Sequence, residues 1–293
     1  MALLSAVLRV GQGVAGLAWC GNELLATWSD RVPQSVALWN PRSGQREGTL
    51  PHLQAVTCAA WTPSGALLAS GDDRGGVRLW DVSGRECVAT LKGHTGHVTS
   101  VAWSVDGLTL ASSSRDGTVR VWSVFGDCLR TLRIQDVERV RWSPDGRLAT
   151  VDADSTVVCA WAMRGDGAEC GLVLDGHAHH VVDVAWSPDG RRLASASLDR
   201  TARIWHTGTG TCAPVLKGHK AHLTCVAWAE AAIATGSADK TLRLWAPDDV
   251  KRPLKAAVKS PFGAPVTGCA WSPDGRALAA SHRDSPVCVW TVT

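Results

Sequence analysis

The chain has no tyrosine and only two phenylalanines, two methionines and two asparagines among 293 residues. Without tyrosine there is no tyrosine phosphorylation, and the commonest polar aromatic anchor of protein interfaces is missing. Neither asparagine, Asn22 or Asn40, opens a glycosylation sequon. No Cys-x-x-Cys pair is present, so neither a zinc ribbon nor a dithiol redox motif is supported. The longest apolar runs are strand length and end at Gly, Asp or Pro, far short of the roughly 20 residues that a membrane-spanning helix needs. Also absent are a P-loop, a dinucleotide fingerprint, a nucleophile elbow and a metal-spaced cluster. We therefore expect no catalytic residue, no cofactor and no metal.

A large charge of one sign is lacking too. The net charge is +3 and the isoelectric point is near 8.4, without the basic stripe that neutralises many phosphates. Nucleic acid is not an expected partner. With 45% hydrophobic and 19% charged residues, the chain has the composition of a folded protein rather than a disordered one.

What the sequence has in abundance is tryptophan. Of fifteen, fourteen fall into two phased series: Trp19, Trp61, Trp103, Trp142, Trp186, Trp228 and Trp271, then Trp39, Trp80, Trp122, Trp161, Trp205, Trp245 and Trp290. The steps run from 39 residues (Trp103 to Trp142) to 45 (Trp245 to Trp290), the period of four-stranded propeller blades. Each unit reads as strands: VTSVAW, LTLASSS, TVRVW and DCLRTL in the third. Ser-Pro-Asp-Gly at 143–146, 187–190 and 272–275 marks recurrent turns, since Pro presets φ and Gly accepts positive φ. No helical amphipathic pattern competes. The expectation is an all-β, seven-bladed propeller of four-stranded antiparallel blades spanning residues 1–293, with repeats ending near each tryptophan of the second series.

Gly93-His94, Gly176-His177, Gly218-His219 and Trp80-Asp81 stand in phase with this repeat. On these motifs the chain resembles the WD40-repeat family over essentially its whole length. The resemblance implies a hydrogen-bond network of His, Ser or Thr, Asp and Trp across the strands of a blade. It maps to His94, Ser112, Asp116 and Trp122; to His177, Ser195, Asp199 and Trp205; and to His219, Thr235, Asp239 and Trp245. Repeat two has Arg74 where Asp is expected, repeat four keeps Thr150 and Asp154 without the His, and repeat seven has Phe262 and Ala280. Because His, Ser or Thr, and Asp recur in the same order of strands in three repeats, strand stapling explains them better than a hydrolytic triad.

The last repeat stops three residues after Trp290, short of an outer strand, while Ser5 to Val10 forms an extended apolar segment before the first inner strand. Residues 1–10 are therefore expected to supply the missing strand, which removes two exposed edges. The same segment has the look of a short leader, a reading that its structural role displaces. Cys87, Cys128, Cys170 and Cys212 open outer strands in phase; all ten cysteines read as small buried hydrophobes in a reducing compartment, cytoplasmic or nuclear. Arg78, Arg120, Arg203 and Arg243 each stand two before a terminal Trp, so they read as structural too.

The resemblance implies that partners dock where the central channel opens. Candidate contacts there are His97, Asp136, His180 and His222, each just before an inner strand, with Arg115, Leu198 and Arg283 before the turn aspartates. Trp28, outside both series, is a candidate exposed contact, and local core filler is its alternative. Three further motifs are weaker: a basic segment at Lys251, Arg252, Lys255 and Lys259, the tripeptide Arg164-Gly165-Asp166, and Trp39-Asn40-Pro41-Arg42, a relaxed version of a ubiquitin-ligase receptor box. The expected function is a non-catalytic scaffold for other proteins or peptides, docked on the channel face and rim. Its alternative is a dedicated subunit or substrate receptor in a ubiquitin ligase, trafficking, ciliary or RNA-processing assembly, the chain being a monomer within the complex.

Overall fold

The computed structural model describes residues 2–10, 13–29, 34–164, 167–249 and 253–292. Among these, every regular element is a strand, and no helix is long and apolar enough to cross a membrane. Blade 1 comprises β2 (Val14–Cys20), β3 (Leu24–Ser29), β4 (Ser35–Trp39) and β5 (Arg46–Pro51). Blade 2 comprises β6 (Val56–Trp61), β7 (Leu67–Asp72), β8 (Val77–Asp81) and β9 (Glu86–Leu91). Blade 3 follows with β10 (Val98–Trp103), β11 (Thr109–Ser114), β12 (Thr118–Ser123) and β13 (Cys128–Arg133). In blade 4 these are β14 (Val137–Trp142), β15 (Arg147–Asp152), β16 (Val158–Arg164) and β17 (Gly167–Leu174). Blade 5 holds β18 (Val181–Trp186), β19 (Arg192–Ser197), β20 (Thr201–His206) and β21 (Cys212–Lys217). Blade 6 holds β22 (Leu223–Ala229), β23 (Ala232–Ser237), β24 (Thr241–Trp245) and β25 (Leu254–Lys259). Blade 7 is built from β26 (Val266–Trp271), β27 (Ala277–His282) and β28 (Ser285–Val292), and its outer strand is β1 (Ala2–Leu8).

The expected closure is observed: β1 pairs antiparallel with β28, from Ala2 opposite Val292 to Leu8 opposite Val287. All pairings are antiparallel neighbours, which yields the seven-bladed propeller that the repeat predicts. Second strands such as β11 and β19 are buried along nearly their whole length, and their alanines pack on the next blade, Ala111 with Val137 and Val140, Ala194 and Ala196 with Val226. Outer strands such as β13 and β25 alternate towards solvent. Apolar side chains cluster between blades rather than within one centre. Val77, Leu79 and Leu91 of blade 2 pack on Val98, Val101 and Leu110 of blade 3, and blades 7 and 1 meet through Leu8, Val287 and Val289 against Trp19, Leu25 and Trp39.

The two tryptophan series have different jobs. The second series bonds inside its own blade: Trp122 Nε1 donates to Ser112 Oγ at 2.8 Å, Trp205 to Ser195 at 2.8 Å and Trp245 to Thr235 at 2.8 Å. Trp39 uses Thr27, Trp80 uses Ser70 and Trp161 uses Thr150. The first series reaches the preceding blade, where Trp61 Nε1 donates to the Ala18 carbonyl at 3.1 Å and Trp103 to the Ala60 carbonyl at 3.2 Å. Trp186 and Trp19 make the same bond to Arg141 and Ala270.

Proton accounting extends the chain beyond Ser112. Indole only donates, so Ser112 Oγ accepts from Trp122 and its own proton goes to His94 Nε2, 2.7 Å away. The ring is therefore a neutral imidazole whose Nδ1–H donates to Asp116 Oδ2 at 2.8 Å. His177 repeats this between Ser195 and Asp199, and His219 between Thr235 and Asp239. Each aspartate also ties its turn together, Asp116 accepting from the Thr95 amide and from Thr118. The glycine before each histidine is held at a positive φ that L side chains rarely adopt, 158° at Gly93, 150° at Gly176 and 152° at Gly218, and at Gly218 a Cβ would also lie 2.3 Å from the Arg243 guanidinium. That guanidinium lies over Trp245, as Arg120 lies over Trp122 and Arg203 over Trp205.

Blades that depart from the pattern use substitutes. In blade 2, His52 donates from Nδ1 to the Leu50 carbonyl and keeps Ser70 on Nε2. There Asp72 replaces the turn aspartate, accepting from the Arg74 and Gly76 amides and pairing with Arg78. In blade 7, Ala280 removes the hydroxyl; His282, fully buried, fills the space between Phe262 and Trp290 instead.

Three outcomes follow from this geometry. Deleting residues 1–10 strips β28 of its partner and removes Leu8 from its gap, so calorimetry and light scattering are expected to show a large drop in melting temperature with aggregation; melting like full length would refute closure. His94→Ala orphans Ser112 and Asp116 and is expected to cost about 1–3 kcal/mol in denaturant unfolding, whereas no change would refute stapling. Burial pushes the His94, His177 and His219 imidazoles below their ordinary 6.5, so as pH falls the unfolded chain binds their protons first. Stability from these groups is then held above pH 6.5 and declines below it. Burial alone would raise the Asp199 and Asp239 carboxyls, yet hydrogen bonds from Thr201 and Thr241 and from the paired histidines and turn amides hold both down to about 2, which adds a second decline from 3.8 towards that value. Melting curves against pH should show both steps, and a flat profile between about pH 7 and pH 5 would contradict the neutral, buried imidazoles.

Candidate functional site

The start of each inner strand lies at the same end of its blade as the turn joining the second and third strands. One backbone bond locks them together. The Arg115 amide donates to the His97 carbonyl at 2.9 Å, Leu198 to His180 at 2.9 Å, Ala238 to His222 at 3.1 Å and Arg283 to Pro265 at 3.1 Å. Ala153 makes the corresponding bond to Asp136. The predicted contact residues are thus brought together in pairs around the channel mouth. Arg115, Asp136, His222 and Arg283 are exposed, and His97, His180 and Leu198 are half-buried.

Charge on this face is uneven. Blade 4 presents Asp136, Asp152 and Asp154, and burial, then the neighbouring Asp136, pushes the Asp152 carboxyl up. Its neighbours answer with hydrogen-bonding and basic side chains: Arg115 pairs with Glu138 at 3.4 Å and His180 Nδ1 lies 3.1 Å from Asp154 Oδ1. His180 also stacks against His179, so the histidine run is spent on a staple at His177 and on face contacts. Below the mouth, the inner strands enclose a channel of about 620 Å³.

Two expectations need correction. Trp28 is not an exposed contact: it is 8% exposed and packs between blades 1 and 2 with Val36, Leu50 and Val56. Its Nε1 donates to the Thr57 carbonyl at 3.2 Å. Its partner across the strands is Gly16, where a Cβ would meet the indole at 2.3 Å; the missing side chain makes room for the large one. Nor are the phased outer-strand cysteines uniformly buried. Cys87, Cys128 and Cys170 are exposed and all ten cysteines are free, because outer strands form the rim. Their phasing has another cause, since Arg120 donates to Cys128 Sγ and Arg203 to Cys212 Sγ, each at 3.7 Å.

Of the weaker motifs, Asn40 accepts from the Arg42 and Ser43 amides and so caps its own turn, while Lys255 donates to the Ala231 carbonyl. Lys251, Arg252, Gly165, Asp166 and residues 30–33 lie outside the described residues. Sequence reading overlooked Arg139, Arg141 and Asp183, which face the channel. Their signal is charge at inner-strand positions where other repeats carry Ala, Gly, Ser or Cys.

Curated relatives match parts of this chain. It is 32% identical over 253 residues to nuclear distribution protein PAC1 of Coccidioides posadasii, covering 73% of this chain and 53% of that protein. It is 25% identical over 288 residues to anaphase-promoting complex subunit cdc20 of Dictyostelium discoideum, covering 94% and 56%. With protein HIR1 of Cryptococcus neoformans var. neoformans it shares 31% identity over 188 residues, covering 56% and 21%. The chain thus spans from about a fifth to just over half the length of these relatives. The family model for the WD domain, G-beta repeat, matches residues 44–81, 85–123, 126–159, 168–206, 210–246 and 257–291. Blade 1 lies mostly outside these matches, yet its four strands pair like the others. Six family matches on a ring of seven four-stranded blades mean that the chain belongs to the WD40-repeat family.

Proposed function

We propose that this propeller is a non-catalytic platform that docks other proteins or peptides on its channel face. The coarser part, an interaction scaffold or a subunit of a larger complex, accords with the WD40 family and with relatives whose names place them in assemblies. These include the anaphase-promoting complex subunit and a chromatin assembly factor 1 subunit, FAS2 homolog, of Oryza sativa subsp. japonica. The observation that carries the finer part is the ring of exposed and half-buried side chains at the channel mouth, each held by a backbone bond between inner strand and turn. Rigid presentation lets loop side chains set specificity with little backbone movement.

The hydroxyl–His–Asp sets inside blades 3, 5 and 6, with Ser in two and Thr in the third, have the residue types of a hydrolytic triad. Ser112, Ser195 and Thr235 are fully buried, and each already accepts from a tryptophan, so no substrate reaches them. This supports a non-enzymatic role. Residues 1–293 act in this reading as one domain, a monomer within a larger complex, binding neither nucleic acid nor a cofactor. Ten unpaired cysteines suit a reducing compartment, cytoplasm or nucleus.

The test is affinity purification from the native cell with wild type and with a variant carrying His97→Ala, Arg115→Ala, His180→Ala and His222→Ala. Loss of specific partners from a variant that melts like wild type is the expected result. Unchanged partners would overturn the channel-face assignment.

A further inference from the structure

Inside the channel the seven inner strands bring equivalent positions to one level. At the third residue of the strand these are Gly16, Cys58, Ser100, Arg139, Asp183, Cys225 and Gly268. Two residues further, blade 4 carries Arg141 where the other six blades carry alanine. Among the described residues lining the channel, Arg139, Arg141 and Asp183 are the charged ones. Two guanidiniums therefore face one carboxylate, a surplus of one positive charge.

The carboxylate is already used. Asp183 side chain is 10% exposed, its Oδ1 lies 3.2 Å from Arg141 Nη2 and 3.9 Å from Arg139 Nε, and its Oδ2 accepts from the Val226 amide at 3.1 Å. Arg141 also donates from Nη1 to Ser100 Oγ at 3.2 Å and to the Val140 carbonyl at 2.9 Å. Ser100, Arg141, Asp183 and Val226 thus form a polar chain across four consecutive blades. Arg139 makes one hydrogen bond, from Nη1 to the Glu138 carbonyl at 2.9 Å. The Glu138 carboxylate itself turns to Arg115 at the mouth. Each arginine side chain is 37% exposed, and a guanidinium offers five donors in a fork that matches a carboxylate or phosphate. Desolvation also weakens the hold of Arg141 on its proton, with Asp183 opposing and Arg139 adding to that effect.

We propose that Arg139 and Arg141 form an oxyanion-binding site within the central channel, for a small phosphate or carboxylate ligand, with Asp183 positioning Arg141. Arg139 supplies the free donors and Arg141 the fixed charge. The site needs no protein at the channel mouth, so it stands or falls separately from the docking reading.

The experiment titrates the purified chain with inorganic phosphate at constant ionic strength, against chloride, and follows phosphorus NMR line width and melting temperature. Wild type is expected to bind saturably. Arg139→Gln is expected to bind about tenfold more weakly or worse, the loss of a charge-assisted contact, while Arg139→Lys retains part of the affinity. Arg139→Gln should melt close to wild type in chloride, since it loses one bond to a backbone carbonyl and one long, partly exposed ion pair to Asp183. Asp183→Asn raises the surplus from one charge to two and is expected to tighten phosphate binding, a readout that survives if the arginine variant misfolds. A blocked Ala-Glu-Ala peptide identifies the source: displacement of phosphate means an acid carried on a polypeptide, and no displacement means a free anion. Unsaturable binding by wild type overturns the proposal, as does equal binding by Arg139→Gln or an unchanged affinity in Asp183→Asn.

Discussion

Face-to-face packing between neighbouring blades is the constraint on which the rest of this structure depends. A four-stranded sheet with two apolar faces cannot be stable alone, because whichever face lacks a neighbour exposes its side chains to water. Val98 and Leu110 need Val77 and Leu79 behind them, and the same sheet needs Val137 and Leu148 on its other side. Repeating that requirement leaves the ends unsatisfied until the ring closes. Closure falls to β1, which brings Leu8 into the gap between blades 7 and 1 and gives β28 its fourth-strand partner.

Once the ring is closed, polar groups settle how rigid it is. Four inner tryptophans, Trp19, Trp61, Trp103 and Trp186, tie adjacent blades, and in blades 3, 5 and 6 the outer tryptophan starts a chain of directed protons that runs through a hydroxyl and an imidazole to a turn aspartate. Every donor in such a chain has an acceptor, so burial leaves nothing unpaired. The aspartate then fixes the turn beside the channel mouth, and the turn holds the side chains offered to partners. Rigidity therefore passes from the buried tryptophan to the exposed surface.

The channel shows the opposite balance. Most inner-strand residues facing it are small, as the convergence of seven strands demands, and blade 4 breaks the rule with two arginines. Among the described residues their one carboxylate partner, Asp183, sits on the neighbouring strand and also accepts from the Val226 amide. The channel thus keeps spare guanidinium donors at one place.

Much of this was legible in the sequence, because it depends on periodicity. The phased tryptophans, the Gly-His pairs and the Ser-Pro-Asp-Gly turns determine the number of blades, their strands and the His–Ser–Asp–Trp sets, since each is a local pattern repeated at a fixed spacing. The short last repeat and the apolar segment at residues 5–10 foretell closure for the same reason. Tertiary structure alone decided whatever depends on one blade meeting another. Trp28 looked like a surface residue until Gly16 opposite it was seen to vacate its space, and the outer cysteines looked like core until the rim placed three of them in water. Arg141 and Asp183 are 42 residues apart in the chain, and their pairing with Ser100 and the Val226 amide exists only because a closed ring sets four inner strands side by side.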